Sequence, residues 1–322
     1  MSSAAALASR ADPAFRADVL AGLAMRPRAI PARWFYDLEG SRLFERITTL
    51  PGYYPTRVET ALLKAHAREI GRIVGPGRAV VEFGSGSSLK TPHLLAAIRP
   101  AAYVPIDISG DFLRQSAAAL ASDFPHLPIL PVEADFTGPV AAPRAIAGLP
   151  RLGFFPGSTI GNLVPRTAVN LLRAMVETLG TGAMLLIGVD RIKPVATLLA
   201  AYDEPEGVTA AFNLNLLHRI NRELSGTIPV DAFRHAARWN DALARIEMHL
   251  EAIRPVAFTV DGVPFRMATG ETIHTENSHK YGQRDARLLL SAGAWTPIRE
   301  WTDPGDNFSL MLAEALPPGT AP

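Results

Sequence analysis

The sequence predicts an α/β protein with a doubly wound, mostly parallel sheet that carries helices on both faces, and with a second domain of mixed α+β structure. Two observations support this fold class. From about Ala79 to Asp190, short β-branched or apolar runs alternate with helix-length segments of apolar periodicity. Repeated βα units of this length form parallel sheets. Outside this block the alternation is lost, which indicates a separate composite domain.

The expected elements of the central block follow one another in chain order. The strands are Ala79–Phe83, Ala102–Asp107, a run from Pro128 to Val132 that ends near Asp135, Leu152–Pro156 and Met184–Val189. The helices are a segment containing Leu94, Leu95 and Ile98, then Asp111–Phe124, then Arg166–Leu179. Strands and helices are distinguished here by β-branched runs on the one hand and by apolar periodicity on the other.

The N-terminal segment and a central insertion are expected to build the second domain. The insertion contains predicted helices at Thr209–Leu224 and Val230–Leu243 and strand-like stretches from Arg245 onward. The tail that follows contains a predicted helix, Asp285–Ser291, and two strands, Trp295–Trp301 and Phe308–Ala313. We therefore predict a core domain of residues 58–191 and 281–322 and a composite domain of residues 1–57 and 192–280. Residues of both could face the carboxyl edge of the sheet, where open α/β sheets bind ligands.

Composition excludes several classes of function. The formal charge of +1 leaves no basic field for a nucleic-acid partner, so a small substrate is favoured. The absence of cysteine excludes disulfides, cysteine-ligated metals and a thiol nucleophile, and it fits a cytoplasmic protein. No apolar run approaches the ~18 residues of a membrane span, so we expect no membrane partner. For the oligomeric state, which composition does not determine, we expect a monomer.

A glycine pair and two acidic positions predict the ligand of the core domain. Gly84 and Gly86 directly follow the first strand, where a backbone must turn tightly and approach a ligand closely. Asp107 ends the second strand, where a carboxylate can bind ribose hydroxyls, and Asp135 with Phe136 ends the third. The third glycine of the dinucleotide fingerprint is absent, which favours S-adenosylmethionine (SAM) over a nicotinamide cofactor. A tight turn that serves only the fold is the alternative.

Motifs along nearly the whole chain resemble one enzyme family. They are Trp34-Phe35-Tyr36-Asp37, Gly40 to Phe44, Tyr53 to Arg57, Glu82 to Thr91, Gly157 to Asn162, Ala201-Tyr202-Asp203, Ala211-Phe212-Asn213 and Arg245 to Met248. In this order the chain resembles the histidine-specific Nα-methyltransferases of ergothioneine biosynthesis. The resemblance implies a class I methyltransferase fold with an added substrate domain. It also implies conversion of L-histidine, through its methylated intermediates, to trimethylated hercynine with three molecules of SAM.

The resemblance also implies roles for individual residues. The cofactor contacts would be Gly84, Lys90, Asp107, Asp135 and Phe136. Tyr53, Asn162 and Tyr202 would hold the carboxylate and amine at the reacting end of the amino acid. The other expected substrate-binding residues are Tyr36, Phe44, Met248, Glu276, Asn277 and Ser278.

The chemistry of these side chains agrees with an amino-acid substrate. Neutral Tyr and Asn groups hydrogen-bond a zwitterion without a charge that would keep its amine protonated. In an extended stretch Glu276 and Ser278 project to one face and Asn277 to the other, so Glu276 and Ser278 could bind the two ring nitrogens of histidine. His274 and His279 lie on opposite faces of the same stretch and the remaining histidines are scattered, so we expect no metal site. No residue stands out as a general base.

Three alternatives are open at this point. The nearest is an Nα-methyltransferase for a different amino acid or small amine on the same fold. A nicotinamide oxidoreductase is second, although the missing glycine argues against it. A non-enzymatic amino-acid-binding or scaffolding protein is third, and it would bind the cofactor without turnover.

Overall fold

A computed structural model describes residues 12–86, 88 and 90–316. The chain divides into two compact units. The first comprises the residues up to Tyr53 together with Pro194–Ser278, and the second comprises Tyr54–Lys193 and the residues from His279 on. The assignment of one predicted domain to the cofactor and the other to the substrate stays a prediction.

The second unit contains a seven-stranded sheet in the order β12-β13-β6-β5-β2-β3-β4. Its strands are β2 (Ala79–Phe83), β3 (Ala102–Asp107), β4 (Val132–Glu133), β5 (Arg151–Phe155), β6 (Met184–Asp190), β12 (Trp295–Thr302) and β13 (Phe308–Ala315). Its helices are α3 (Tyr54–Val74), α4 (Thr91–Ile98), α5 (Gly110–Asp123), α6 (Pro165–Leu179) and α9 (Gln283–Ala292).

The pairing of the strands confirms the predicted fold class. Strands β4, β3, β2, β5 and β6 run parallel, whereas β13 pairs antiparallel with β6 and β12 antiparallel with β13. The chain proceeds outward from β2 through β3 to β4 and then returns to the other side of β2 with β5. The order therefore reverses between β2 and β5, and ligands of open α/β sheets bind at the carboxyl ends beside such a reversal.

Helices cover both faces of this sheet, as predicted. On one face, side chains such as Val81 and Leu185 pack against Leu171 and Met175 of α6 and against Leu290 of α9. On the other face, the alternate strand residues pack against three helices. These contacts are made by Val80, Leu152 and Leu186 of the sheet with Leu63 of α3, Leu95 of α4 and Leu120 of α5. Strands buried on both faces explain why the sequence of this block is so uniformly apolar.

The first unit contains a four-stranded sheet in the order β1-β11-β8-β7 and a separate β9-β10 hairpin. Its strands are β1 (Arg28–Ala29), β7 (Phe233–Asn240), β8 (Arg245–Ala252), β9 (Val256–Val260), β10 (Val263–Met267) and β11 (Thr272–His279). Its helices are α1 (Pro13–Ala24), α2 (Leu38–Thr49), α7 (Val195–Tyr202) and α8 (Val208–Glu223). The buried face of α8 contains Phe212, Leu216 and Ile220.

One predicted helix is wrong. The segment Val230–Leu243 forms a short 3₁₀ turn and then strand β7, which pairs antiparallel with β8 from Phe233–Ala252 to Asn240–Arg245. Its Ala, Arg and His residues tolerate a helix, but local propensity is a weak preference that strand pairing overrides.

The predicted third strand is shorter than expected. Strand β4 spans only Val132–Glu133, and Ile129 makes an isolated bridge to Tyr103.

Among the residues that the structure describes, none of the helices combines the length and the apolar character that crossing a membrane requires.

Candidate active site

Gly84 and Phe136, two predicted cofactor residues, are in contact at the carboxyl end of β2. Gly84 has a φ of +71°, and a Cβ atom there would lie 3.3 Å from the ring of Phe136. That ring makes edge contacts with Phe83 and Phe155, at centroid distances of 6.2 and 5.9 Å. The left-handed backbone therefore favours glycine at position 84, and the ring beside it leaves little room for a side chain.

Asp107 ends β3 and holds the glycine turn. Its Oδ2 accepts a hydrogen bond from the backbone N–H of Gly86 at 2.9 Å, and its Oδ1 accepts one from Ser109 at 2.9 Å. Burial raises the pKa of this carboxyl, and the backbone hydrogen bonds oppose that effect. Each oxygen retains a second lone pair, so the group can still accept hydrogen bonds from a ligand. Asp135 is exposed after β4 and accepts the N–H of Thr137 at 2.9 Å.

Lys90 is paired with Glu59, a residue that the sequence analysis missed. The carboxylate of Glu59 is fully buried, forms an ion pair with Lys90 and accepts the backbone N–H of Gly157 at 2.9 Å. Gly157 follows β5, so this contact places the ammonium group of Lys90 beside the carboxyl end of that strand. The sequence contains one indication of this pair. Glu59 lies on the apolar face of α3 with Leu62 and Leu63, where burying an unpaired carboxylate would destabilise the fold.

A buried carboxyl group connects the two ends of the glycine loop. Glu82, directly before Phe83, is 1% exposed and accepts hydrogen bonds from the hydroxyls of Tyr103 at 2.6 Å and Thr91 at 2.7 Å. The Tyr103 hydroxyl also lies 3.1 Å from Ser88 Oγ. Burial raises the pKa of Glu82 to about 7, against the effect of these hydrogen bonds. Both the start of the loop and the first turn of α4 are thereby fixed to β3.

In the first unit, four predicted substrate residues form a continuous row of aromatic contacts. The ring of Phe44 lies 5.7 Å from Tyr36 and 6.3 Å from Tyr53, both with edge-on geometry. The ring of Tyr53 lies 6.3 Å from that of Tyr202. The hydroxyls of Tyr202 and Ser278 share a hydrogen bond of 2.6 Å. The structure therefore brings five predicted substrate-binding residues into one connected group.

Two further residues that lacked a predicted role hold Tyr202. The Nε2–H of His235 donates to the backbone carbonyl of Tyr202 at 2.8 Å, and its Nδ1 accepts from the amide of Asn213 at 2.8 Å. The Oδ1 of Asn213 accepts in turn from the hydroxyl of Thr275 at 2.8 Å. Asn213 is fully buried on the apolar face of α8 beside Phe212, and a buried amide in such a position signals a polar network.

The remaining substrate candidates lie on neighbouring strands or in the other unit. Met248 is buried on β8, and its carbonyl accepts from the hydroxyl of Thr275 at 3.0 Å. Glu276 is half-buried on β11, and Asn277 follows it with an Oδ1 atom that is buried without a hydrogen-bond partner among the described residues. Asn162 belongs to the second unit, where it ends the 3₁₀ turn Thr159–Asn162 after β5.

The side chains of β11 do not alternate regularly. Thr275 and Ser278, three positions apart, both hydrogen-bond to the helical layer, Thr275 to Asn213 of α8 and Ser278 to Tyr202 of α7. Strict alternation would place them on opposite faces, so it is interrupted between them. Regular alternation therefore does not place Glu276 and Ser278 on one face of β11. Their position on a common face stays a prediction.

The sequence of this chain is similar to those of known methyltransferases. The family model "Histidine-specific methyltransferase, SAM-dependent" matches residues 15–315. The histidine N-alpha-methyltransferase of Mycolicibacterium smegmatis is 41% identical over 319 residues, 95% of this chain and 96% of that protein. That of Mycobacterium tuberculosis is 41% identical over 312 residues, 93% of this chain and 94% of that protein.

A fungal relative is longer. Ergothioneine biosynthesis protein 1 of Neurospora crassa is 30% identical over 301 residues, which are 89% of this chain and 33% of that protein.

The matches to the two bacterial enzymes and to the family model cover nearly the whole of this chain. They confirm the resemblance drawn from the motifs, and the chain belongs to the family of SAM-dependent, histidine-specific methyltransferases.

Proposed function

We propose that this protein transfers three methyl groups in turn from SAM to the α-amino group of L-histidine, giving hercynine in the first step of ergothioneine biosynthesis. The observation that carries the proposal is the 41% identity to a histidine N-alpha-methyltransferase over 95% of the chain. SAM as the methyl donor agrees with the family to which the chain belongs.

We assign donor binding to residues of the second unit. Gly84 provides a backbone position free of a side chain beside the ring of Phe136, which suits a flat adenine base. Asp107 has lone pairs available for the ribose hydroxyls, and we assign Asp135, which is exposed, to the adenine amino group. Lys90 offers its remaining N–H donors to the carboxylate of the methionine moiety. These residues fit SAM because they match its separate polar groups.

We assign acceptor binding to the aromatic row of the first unit and to Asn162. Tyr53, Tyr202 and Asn162 would hold the carboxylate and the amine with uncharged hydrogen-bonding groups. Glu276 and Ser278 would bind the two nitrogens of the imidazole ring, with Met248 and Asn277 beside it. Tyr36 and Phe44, whose rings contact each other, would complete an aromatic wall that tolerates a permanently cationic product through cation–π contact.

The reaction is an in-line displacement. The lone pair of the amine nitrogen forms the new N–C bond, and the electron pair of the breaking C–S bond returns to sulfur, leaving S-adenosylhomocysteine. The ammonium group of the zwitterion loses a proton to solvent before the first transfer, and the methylated nitrogen loses another before each of the next two. The third transfer leaves a quaternary ammonium group. The protein contributes by alignment at near-attack distance and by removal of solvent from the reacting groups.

We further propose that the enzyme acts as a monomer in the cytoplasm. The chain has no cysteine, so it has no disulfide bond that a reducing compartment would break. Light scattering of the purified protein at the concentrations used for kinetics tests the oligomeric state, and a dimer would contradict it.

One incubation tests the central proposal. The purified protein is mixed with SAM and the twenty amino acids, and the products are identified by mass spectrometry. We expect histidine alone to gain three methyl groups, and mono- and dimethylhistidine to serve as substrates when supplied separately. Methylation of another amino acid in preference to histidine would contradict the assignment, as would a product that stops at one methyl group.

A pair of variants links this activity to the assigned donor residues. Asp107→Ala should abolish measurable binding of S-adenosylhomocysteine in calorimetry, whereas Asp123→Ala, an exposed acid at the end of α5, should bind as the wild type does. Equal affinity in the two folded variants would remove Asp107 from the site.

A further inference from the structure

Three potential metal ligands lie together on the four-stranded sheet of the first unit. Glu247 and His249 are two positions apart on β8, and His274 lies on the adjacent strand β11. One donor atom of each residue lies within 4.8 Å of the donor atoms of the other two. The rings of His249 and His274 are stacked, with centroids 4.9 Å apart and planes inclined by 22°.

The separation between two of these donors suits a single ion. Oε2 of Glu247 lies 3.2 Å from Nε2 of His249. Two ligands of a tetrahedral Zn²⁺ ion, each bound at about 2.0 to 2.1 Å, lie about 3.3 Å apart. These two donors therefore need hardly move to bind one ion, although the hydrogen bond that now joins them must give way. The donor atom of His274 lies within 4.8 Å of both and must move closer.

The surroundings of the cluster resemble the outer shell of a metal site. The second oxygen of Glu247, Oε1, accepts hydrogen bonds from Nε of Arg245 at 2.8 Å and from the amide of Asn240 at 2.9 Å. Nε2 of His274 lies 3.0 Å from the carbonyl oxygen of Glu276, to which its N–H donates. That hydrogen bond leaves the lone pair of His274 on Nδ1. Metal-binding carboxylates and imidazoles are commonly oriented by such partners.

We propose that Glu247, His249 and His274 bind one Zn²⁺ ion, which ties β8 to β11 and keeps its remaining coordination position for water. Two imidazoles and a carboxylate with an open position are a recurrent ligand set for zinc.

The sequence predicts no metal site, because His274 and His279 lie on opposite faces of one stretch and His249 is isolated from other histidines along the chain. Only the pairing of β8 and β11 in one sheet brings His249 and His274 together. The Glu-x-His spacing on a strand was the available signal, since it places both side chains on one face.

The test uses the full chain, freed of metal by a chelator, and titrates it with Zn²⁺ in a calorimeter without SAM or histidine. We expect one high-affinity ion per chain. His249→Gln and His274→Gln should each weaken binding at least about 100-fold, since even outer-shell substitutions cost about 10- to 100-fold. His126→Gln, which changes an exposed histidine, should leave the affinity unchanged. Co²⁺ in place of Zn²⁺ should give the visible absorption of a tetrahedral site.

Failure of the wild type to bind Zn²⁺ would overturn the proposal, and so would unchanged affinity in both histidine variants. Glu247→Gln provides a third variant of nearly equal shape, should a histidine variant not fold. Its affinity should also fall, and a wild-type affinity in Glu247→Gln would remove the carboxylate from the site. Because neither substrate nor cofactor is present, the result is independent of the proposed methyl transfer.

Discussion

The hydroxyl groups of Tyr202 and Ser278 lie 2.6 Å apart in the first unit and join the end of α7 to β11. Ser278 is 5% exposed and Tyr202 8%, so this hydrogen bond is shielded from solvent. Both residues are assigned to the histidine site, Tyr202 to the amino-acid group and Ser278 to the ring. The bond therefore connects the two ends of the assigned acceptor site.

Removing either hydroxyl should weaken histidine binding without affecting the donor. We expect Tyr202→Phe and Ser278→Ala each to raise the KM for histidine roughly 5-fold, which corresponds to a hydrogen bond of about 1 kcal/mol. The double variant should be worse than either single variant but less than additive, because the two substitutions remove one shared hydrogen bond besides each hydroxyl's own assigned contact with histidine. Steady-state kinetics measures the KM, and calorimetry with S-adenosylhomocysteine checks the donor site. Fully additive effects would show that the two hydroxyls act independently.

Gly84 should be essential for cofactor binding because of the ring beside it. In Gly84→Ala the new methyl group lies about 3.3 Å from Phe136, so that ring must shift by a few tenths of an ångström. We expect the affinity for S-adenosylhomocysteine to fall at least about 10-fold, since both the backbone approach and the ring position change.

Gly75→Ala is the matched control for this substitution. Gly75 also has a positive φ, +76°, but a Cβ atom there would have no neighbour within 4 Å. Both variants should lose some stability from backbone strain, and only Gly84→Ala should lose cofactor affinity. Equal cofactor affinities in the two variants would contradict the placement of Gly84 at the donor site.

Glu276 should determine the choice of amino acid. If its carboxylate accepts the imidazole N–H, Glu276→Ala removes a charge-assisted hydrogen bond of roughly 1.5 to 3 kcal/mol, or about 10- to 150-fold in KM. The fall in kcat should be smaller because the ring is remote from the reacting nitrogen. The enlarged and less polar pocket should also accept phenylalanine or tryptophan better.

Kinetics with histidine and with the aromatic amino acids checks this expectation. Glu206→Ala, which changes an exposed acid, is the control for the loss of a negative charge. A wild-type KM for histidine in Glu276→Ala, with no gain for the aromatic substrates, would mean that Glu276 does not bind the substrate ring.

The buried carboxyl group of Glu82 should make the protein less stable as the pH rises through the mildly acidic range. Burial raises its folded-state pKa from 4.5 to about 7. Between these two values the folded state holds a proton that the unfolded state has released, so the free energy of unfolding falls as the pH increases. The slope contributed by this group is at most about 1.4 kcal/mol per pH unit.

Glu82→Gln isolates this contribution. Urea unfolding of the wild type and the variant at pH values from 5 to 8 gives the difference in stability at each pH. We expect the wild type to lose stability relative to the variant between pH 5 and 7 and the difference to level off above pH 7. Parallel curves over the whole range would show that Glu82 does not titrate in this window.

The central sheet could be predicted from the sequence because its strands are buried on both faces. The runs at Ala79–Phe83 and Ala102–Asp107 have the predicted bounds, and each remains apolar over most of its length. Strand β7 was not predictable in this way: its partner β8 determines its conformation, and its own residues tolerate a helix. Amphipathic or polar strands are specified by their neighbours, which a single sequence does not reveal.

The residues of the candidate site also divide into those that the sequence predicts and those that depend on a distant partner. Gly84, Asp107 and Phe136 follow strands of a parallel sheet, so their proximity could be inferred from chain order alone. Glu59 and His235 could not be found in this way, because each acts through a partner distant in sequence, Lys90 for Glu59 and Tyr202 for His235. Contacts of this kind depend on packing between elements and become visible only in the folded chain.

The ion pair between Lys90 and Glu59 affects how the donor site can distinguish the methyl donor from its product. Since the two charges cancel, the other assigned acidic residues, Asp107 and Asp135, leave the group of donor residues with a net negative charge. SAM carries one positive charge more than S-adenosylhomocysteine, because its sulfur is a sulfonium. If these residues hold the donor as assigned, Coulombic attraction favours the fresh donor over the spent one. That preference would assist exchange of the spent donor, which must occur between successive methyl transfers on the way to a trimethylated product.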